Sequence, residues 1–249
     1  MKKALRNGVL AILTGALCVI GYLIYNEDAE HAPAKKEWES LQEQVVIQKQ
    51  EKKILTIDWN SLLASNPDVV GWIYVPGCGI NYPILQDNSN TYYLNHTLYR
   101  TYDSYGSIFL SASNNKQFTD DNSIIYGHSV QYVGGMFTGL KNYADSSFYE
   151  NHPYFYLLTP VANYKCKVKS FAKTTEDSTF YKTHFSEGEK SSILSKMQSE
   201  AQFSSLNQSD LENGLITLST CDLDYGLNSN HRLLLVGSKE ITKEEINLE

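Results

Sequence analysis

The stretch that decides how this chain folds is Thr217-Leu218-Ser219-Thr220-Cys221, a β-prone run that ends on a cysteine. A second apolar run follows after a short polar segment and carries an arginine at its start: His231-Arg232-Leu233-Leu234-Leu235-Val236-Gly237. This layout predicts two neighbouring strands, with a thiol and a guanidinium at adjacent strand ends. A fixed positive charge beside a thiol favours the thiolate and stabilises the oxyanion that forms when the thiolate attacks a carbonyl.

Such a thiol also needs a proton carrier, and His128 is the candidate, at the end of the run Ser123-Ile124-Ile125-Tyr126-Gly127-His128. His231 is the rival, but its side chain is expected to point away from Arg232 because successive strand residues alternate. Each residue has an ordinary structural alternative: a buried thiol, a hydrogen-bonded core histidine and a surface arginine at a strand start. Together, Cys221, His128 and Arg232 form a set suited to acyl transfer.

Short apolar and β-branched runs separated by turn residues predict a mainly β fold. Eight strands are expected, at Gly71 to Val75, Asn81 to Leu85, Gly106 to Ser111, Ser123 to Gly127, Tyr154 to Thr159, Tyr164 to Phe171, Leu215 to Thr220 and Arg232 to Gly237. Eight short strands favour a closed or nearly closed barrel. A short helix is predicted at Asp58 to Ala64 with Asp58 as its cap, and a second one after a Ser186-x-x-Glu189 capping box.

The N-terminus has the pattern of a membrane signal. Residues 1–7 are basic, and 8–25 form an uncharged, mostly apolar run close to the ~20 residues that span a bilayer core. We therefore expect an uncleaved single-pass anchor, with the basic flank cytoplasmic and the rest of the chain outside the cell. A cleaved signal peptide is the alternative, since 32–34 match a small-x-small site. Residues 26–56 are charge-rich and are predicted to form a helical stalk or linker.

Composition restricts the possible partners. The chain has 249 residues, enough for one sizeable core, and its formal charge of −7 disfavours binding to the phosphates of nucleic acid. Its cysteines are Cys18, Cys78, Cys166 and Cys221, and neither a CxxC nor an HxxxH spacing occurs, so no metal and no other cofactor is expected. Cys78 and Cys166 are predicted either to form a disulfide or to be small buried apolar side chains.

From Ile57 to Lys239 the chain resembles the sortases, and among them class B. The resemblance rests on five blocks in the family's order: GWIYVPGCGINYPILQ, GSIFLS, NSIIYGHS, MFTGLKNYADSSFYENHPYFYL and TLSTC with HRLLLVG. It implies an eight-stranded sortase-type β-barrel with N-terminal helices and a helical insertion between the sixth and seventh strands. The catalytic domain is expected at 57–241, followed by a C-terminal tail at 242–249.

The resemblance also implies a cysteine transpeptidase. Cys221 would attack the threonine carbonyl of a C-terminal sorting signal resembling NPxT[N/G/S], His128 would protonate the leaving amine, and Arg232 would hold the peptide backbone and the oxyanion. The implied partners are surface proteins that carry such a signal and an amine of the peptidoglycan precursor or cross-bridge. The substrate groove of the family maps, by position, onto Ser219, Thr220, Asp222, Asn90, Leu94 and Tyr181.

Several alternatives stay open at this stage. Tyr181 stands where the family often has an aliphatic residue and Glu176 where it has a threonine, and either Asp222 or Asp224 is expected nearest the histidine. A pilin-polymerising sortase and an exported cysteine protease that releases peptide to water are alternative functions. A non-enzymatic adhesin would have no reason to carry Cys221, His128 and Arg232 in this arrangement.

Overall fold

A computed structural model describes residues 2–45, 53–130 and 134–248. The helices are α1 (Lys2–Val45), α2 (Trp59–Ser65), α3 (Ser146–Asn151), α4 (Lys190–Glu200) and α5 (Gln208–Asn213). The strands are β1 (Val69–Val75), β2 (Ile80–Leu85), β3 (Ile108–Leu110), β4 (Asn122–Tyr126), β5 (Tyr154–Leu158), β6 (Asn163–Thr175), β7 (Phe203–Ser204), β8 (Leu215–Cys221) and β9 (His231–Thr242). Short 3₁₀ helices lie at Tyr92–Leu94, Thr138–Ala144, Thr179–Tyr181 and Leu223–Tyr225.

Eight of the strands close into a barrel. The hydrogen-bonded order is β5-β1-β2-β3-β4-β8-β9-β6, and an additional pairing of β5 with β6 joins the two edges. The two-residue β7 pairs antiparallel with Ser170 and Phe171 of β6. All eight predicted barrel strands are present, and β6 and β9 extend well beyond their predicted ends because they pair with each other over their full lengths. The predicted closed barrel is confirmed, and closure leaves its strands without free edges.

The helical insertion between the sixth and seventh barrel strands is also confirmed: it carries α4, β7 and α5 between β6 and β8. It covers the outer face of β9, where Leu234 and Val236 pack in a second cluster with insertion residues. Leu233 and Leu235 alternate with them and face the main barrel core. The run at 233–236 is continuously apolar because this strand is buried on both faces.

The local helix signals were partly correct. Asp58 caps α2, its side chain accepting from Ser61 N as predicted. Ser186 contacts Glu189, but the hydroxyl donates to the carboxylate at 2.6 Å and the helix begins only at Lys190. The reciprocal capping box of the insertion is instead formed by Asn207 and Asp210 at the start of α5, where both backbone N–H groups are satisfied.

The helix α1 runs without interruption from the N-terminal apolar residues into the charge-rich segment. Its second half packs on the barrel domain, where Trp38 and Leu41 are buried and His31 Nδ1 lies 2.9 Å from Asp103 Oδ1. Within the described ranges, none of the helices is apolar over enough of its length to cross a bilayer. This finding contradicts the predicted single-pass location, and it gives the predicted anchor at 8–25 and the membrane as a partner no support. The apolar run is one part of a longer helix that becomes polar.

Residue 1 of the predicted basic flank, residues 46–52 of the predicted stalk and residue 249 of the predicted tail lie outside the described residues. The other tail residues return to the start of the domain. The amide of Leu55 donates to Ile246 O at 2.8 Å, and Ile54 forms an isolated bridge with Asn247. The tail and the segment before α2 therefore hold each other in place.

Candidate active site

Two strand ladders bring the three candidate residues to one end of the barrel. β4 and β8 are parallel, with Tyr126 opposite Ser219. Two residues further along each chain come His128 and Cys221, so the continued register brings these residues level with each other. β8 and β9 are antiparallel, with Cys221 directly opposite Arg232. Since neighbouring strands lie about 4.8 Å apart, the three residues come from adjacent positions at one barrel end.

The end of β8 is the point where this strand opens to solvent. Every residue of β8 is buried except Cys221, which is half-buried. The loop that carries His128 is tied to the same point, because Ser129 Oγ donates to Cys221 O at 2.8 Å and lies 2.9 Å from Thr220 Oγ1. Backbone bonding adds to this tie, since Gly127 N donates to Ser219 O at 3.1 Å. The position of the histidine relative to the thiol is thus fixed by a main-chain and a side-chain contact.

Close packing explains why the residue before His128 is a glycine. A Cβ at Gly127 would lie 2.5 Å from Ile108 Cδ1 and 2.8 Å from the ring of Phe137. A side chain there would push the His128 loop away from the barrel.

His128 has a defined hydrogen-bond partner. Its Nε2 lies 2.7 Å from the backbone oxygen of Leu94. Because a carbonyl only accepts, Nε2 must carry a hydrogen, and the charge of the ring is then decided by the proton on Nδ1. The sequence indicated Leu94 as a groove residue, but the main-chain role of its carbonyl has no signature in sequence.

Arg232 is held mainly by the backbone. Its Nη1 donates to the carbonyls of Ser229 and His231, each at 2.9 Å, while Nη2 donates to Glu176 Oε2 at 3.2 Å. The Arg232 side chain is 21% exposed and that of Glu176 is 59% exposed. The guanidinium is therefore oriented by two fixed carbonyls and neutralised by a carboxylate that stays in contact with water.

These residues surround one cavity of about 460 Å³. All three candidates for catalysis line it: Cys221, His128 and Arg232. Five of the six groove residues expected from the sequence line it as well: Asn90, Leu94, Tyr181, Ser219 and Thr220. Four further lining residues were not assigned a role from the sequence: Phe109, Tyr126, Gly127 and Glu176. A cavity of this size, in which apolar surface is combined with several converging polar groups, is typical of a ligand site.

Two tyrosines contribute to the wall of this cavity. Tyr181 Oη is hydrogen-bonded to Ser219 Oγ at 2.7 Å, and its ring stacks on Tyr126 with centroids 6.3 Å apart. Burial raises the pKa of Tyr181 to about 12, and burial also raises the pKa of Tyr126. Both phenols are therefore neutral at physiological pH and act as hydrogen-bonding groups, not as anions.

The sixth groove residue, Asp222, lies elsewhere. Its side chain is buried and caps the Leu223–Tyr225 turn by accepting from Asp224 N at 3.1 Å. It lines a separate cavity of about 460 Å³ on the other side of Cys221, together with Lys141 and Lys173. Asp224 in turn lies 3.6 Å from Lys173. The sequence predicted that either Asp222 or Asp224 would lie nearest His128. The hydrogen-bond partner of His128 is instead the Leu94 carbonyl.

His231 is oriented as its position predicts. Its ring stacks on Tyr225 with centroids 3.6 Å apart and an interplanar angle of 4°. Arg232, the next residue, lines the cavity. The remaining thiols have other surroundings: Cys18 is exposed on α1, Cys78 Sγ donates to Gly139 O at 3.3 Å, and Cys166 is fully buried in the core. Over the described residues, the structure contains neither a disulfide nor a cluster of acidic, histidine and cysteine side chains able to hold a metal ion.

Comparison with known proteins agrees with the family that the sequence resembles. The family described as Sortase domain matches residues 73–240. Sortase B of Listeria monocytogenes is 34% identical over 179 residues, which is 72% of each chain, and Sortase B of Staphylococcus aureus is 30% identical over 234 residues, 92% of this chain and 93% of that protein.

Solved structures agree with these relatives. A Staphylococcus aureus sortase B–substrate complex superposes with a TM-score of 0.73 at 28% identity, covering 86% of this chain and all of that one. A Bacillus anthracis sortase B bound to AAEK1 gives a TM-score of 0.73 at 27% identity, covering 86% of this chain and 99% of that one.

Proposed function

Since this chain belongs to the sortase family, as a class B member and hence a cysteine transpeptidase, we propose that Cys221, His128 and Arg232 carry its reaction. The observation that supports this most directly is the pair of ladders, parallel β4–β8 and antiparallel β8–β9, which place the three residues at one cavity. A thiol buried elsewhere in the barrel would not meet a histidine and an arginine in this way.

The proposed reaction is acyl transfer through a thioester. The Cys221 thiolate attacks the carbonyl of a threonine in a C-terminal sorting signal, with a motif similar to NPxT[N/G/S]. As the C–N bond breaks, His128 donates a proton to the leaving amine. An amine of the cell-wall precursor or cross-bridge then attacks the thioester and gives up a proton to His128, and the C–S bond breaks to give a new amide and restore the thiolate.

Arg232 is proposed to stabilise the oxyanion. Two of its donors are fixed by the carbonyls of Ser229 and His231, so the planar guanidinium is pre-oriented before substrate arrives. A preorganised donor costs no reorganisation when charge develops on the carbonyl oxygen. Asn90, Leu94, Tyr181, Ser219 and Thr220 are proposed to line the peptide groove, since all of them face this cavity. Asp222 is not included in the proposed groove.

The experiment is a peptide assay on the full chain. Peptides with NPxTN, NPxTG and NPxTS motifs are incubated with and without an amine such as triglycine, and products are identified by mass spectrometry. We expect cleavage after threonine, with an amide product when the amine is present. Release of free acid alone, unchanged by amine, would instead indicate a hydrolytic cysteine protease. If the wild-type chain processes none of these peptides while correctly folded, the proposed sorting signal is wrong.

A further inference from the structure

The segment between β6 and α4 supplies part of the cavity wall. It contains the 3₁₀ turn Thr179–Tyr181, and Tyr181 lines the cavity. The phenol of Tyr181 is hydrogen-bonded to Ser219 Oγ at 2.7 Å, two residues before Cys221 in β8. The placement of this turn therefore decides where the Tyr181 ring stands relative to the thiol.

The end of the turn is held by the barrel. Asn122, a fully buried residue of β4, donates through Nδ2 to the carbonyl of Phe180 at 2.7 Å and to that of Lys182 at 3.1 Å. The Phe180 side chain is buried in the cluster that joins the helical insertion to β9. These contacts fix the carbonyl groups that precede and follow Tyr181.

The start of the turn is closed by Ser178. Its carbonyl accepts from Tyr181 N at 3.1 Å, and its hydroxyl accepts from Phe180 N at 3.2 Å. Because Ser178 bonds directly to the backbone of the two residues that end the turn, a displacement of Ser178 is passed on to Tyr181.

One carboxylate of the insertion holds Ser178 and its neighbour. Glu200 is the last residue of α4 and is half-buried. Its Oε2 accepts from the Ser178 hydroxyl and, at 2.9 Å, from Thr179 N, while its Oε1 accepts from Thr179 Oγ1 at 2.6 Å. Hydrogen bonds to an ionised acceptor are stronger than neutral ones. Both oxygens of Glu200 thus bind the two residues from which the turn begins.

We propose that Glu200 is a positioning residue for the peptide groove: its carboxylate holds Ser178 and Thr179 so that the Tyr181 ring is in place before the sorting signal binds. This inference rests on the proposed function. A wall that is formed in advance spares the substrate the cost of ordering it, so the contribution belongs to binding. The three catalytic candidates are held by other contacts, and the chemical step is therefore expected to be independent of Glu200.

The test measures cleavage of NPxT[N/G/S] peptides by the full chain without added amine. Glu200→Ala should raise KM about 3- to 10-fold and keep kcat within about 2-fold of the wild type. Thr179→Val removes one donor with little change in shape and should raise KM by about 2-fold. The matched control is Glu212→Ala, which makes the same change in charge at an exposed residue of α5 in the same insertion. It should leave both constants unchanged.

A double-mutant cycle shows whether Glu200 acts through Tyr181. In a Tyr181→Ala background, Glu200→Ala should raise KM by less than about 2-fold further, because the ring that it positions is absent. Effects of the two substitutions that simply multiply would contradict a role exerted through Tyr181.

Amide hydrogen exchange of the full chain gives a readout that needs no turnover. Segment 178–181 should exchange faster in Glu200→Ala, since Thr179 N loses its acceptor, and at the wild-type rate in Glu212→Ala. Unchanged exchange, or an unchanged KM in an active and folded Glu200→Ala protein, would refute this inference alone. An equal rise in KM in Glu212→Ala would refute it too. A wild-type chain that cleaves none of the peptides would refute the proposed function, and this inference with it.

Discussion

Two cysteines of the barrel stand directly opposite a cationic residue of β9, yet their surroundings give them different properties. Cys221 on β8 is opposite Arg232, and Cys166 on β6 is opposite Lys239. Cys166 is fully buried in the main core, and burial raises the pKa of its thiol. Partial burial also lowers the pKa of Lys239, a half-buried residue whose Nζ donates to the carbonyl of Phe118. In this interior pair, desolvation favours the neutral form of each partner.

The Cys221 pair lies at the strand ends, where the barrel opens. Its thiol borders a cavity shared with His128 and Arg232. A cysteine opposite a cation is thus not by itself a reactive centre. The difference comes from position along the ladder: a strand end gives access to substrate and to a proton carrier, whereas mid-strand burial makes the thiol an apolar filler.

The largest expected effect separates the two thiols. Cys221→Ala should lower transfer by on the order of 10⁴-fold or more, because no other group can form the thioester. Cys166→Ala should keep activity within a few-fold while losing roughly 1–2 kcal/mol of unfolding free energy, since it leaves a small void in the core. Peptide turnover and urea unfolding measure the two quantities. An inactive but folded Cys166→Ala protein would show that the wrong thiol has been chosen.

The next effect concerns the proton carrier. His128→Ala should reduce kcat/KM by about 10²–10⁴-fold, the range typical of general acid–base catalysis. His231→Ala is the matched control and should stay within a few-fold, because its ring stacks on Tyr225. Steady-state rates across pH would show the loss of one limb of the profile in His128→Ala alone. The opposite ranking of the two variants would assign proton transfer to His231.

A smaller loss is expected when the guanidinium is replaced by an ammonium. Arg232→Lys keeps the charge but loses the rigid fork of donors, and should cost about 10²–10³-fold in kcat with little change in KM. Lys239→Met, at the interior pair, should leave kcat unchanged and lower stability by about 1 kcal/mol through the lost hydrogen bond to Phe118 O. If Arg232→Lys is nearly as active as the wild type, charge alone suffices and the geometric argument is wrong.

The smallest effect tests burial in the cavity wall. Tyr181→Phe removes the hydrogen bond to Ser219 Oγ and should change kcat/KM only about 2- to 5-fold, as expected for one neutral hydrogen bond. Burial raises the pKa of Tyr181 from 10.0 to about 12, so its contribution to stability is complete below pH 10 and is lost as pH rises from 10 toward 12.

Unfolding free energies measured from pH 9 to 12 should therefore fall less steeply for Tyr181→Phe than for the wild type. Equal slopes for the two proteins would mean that the phenol is as hydrated in the folded state as in the unfolded chain.

Much of the fold could be predicted because the strand signals are local. Alternation, turn residues and β-branched runs depend on sequence neighbours, and the eight barrel strands were found on that basis. The ends of β6 and β9 were not, because their length is set by pairing with each other. The single-pass location was wrong because no helix of the described residues is apolar over enough of its length to cross a bilayer; the apolar run at 8–25 is part of a helix that continues to Val45.

The sequence by itself determined the residue types of the chemistry: a thiol and an arginine at the ends of two apolar runs, and a histidine after a third. Only the tertiary structure decided which of these residues share a cavity, because that depends on strand order, register and barrel closure. These features bring together positions that are more than ninety residues apart in the chain, such as His128 and Cys221. Three contacts of the site were likewise decided by the tertiary structure: His128 with the Leu94 carbonyl, Ser129 with the Cys221 carbonyl, and Arg232 with the Glu176 carboxylate. They are long-range contacts from loops, whose partners are fixed by the folded backbone and leave no periodic signal in the chain.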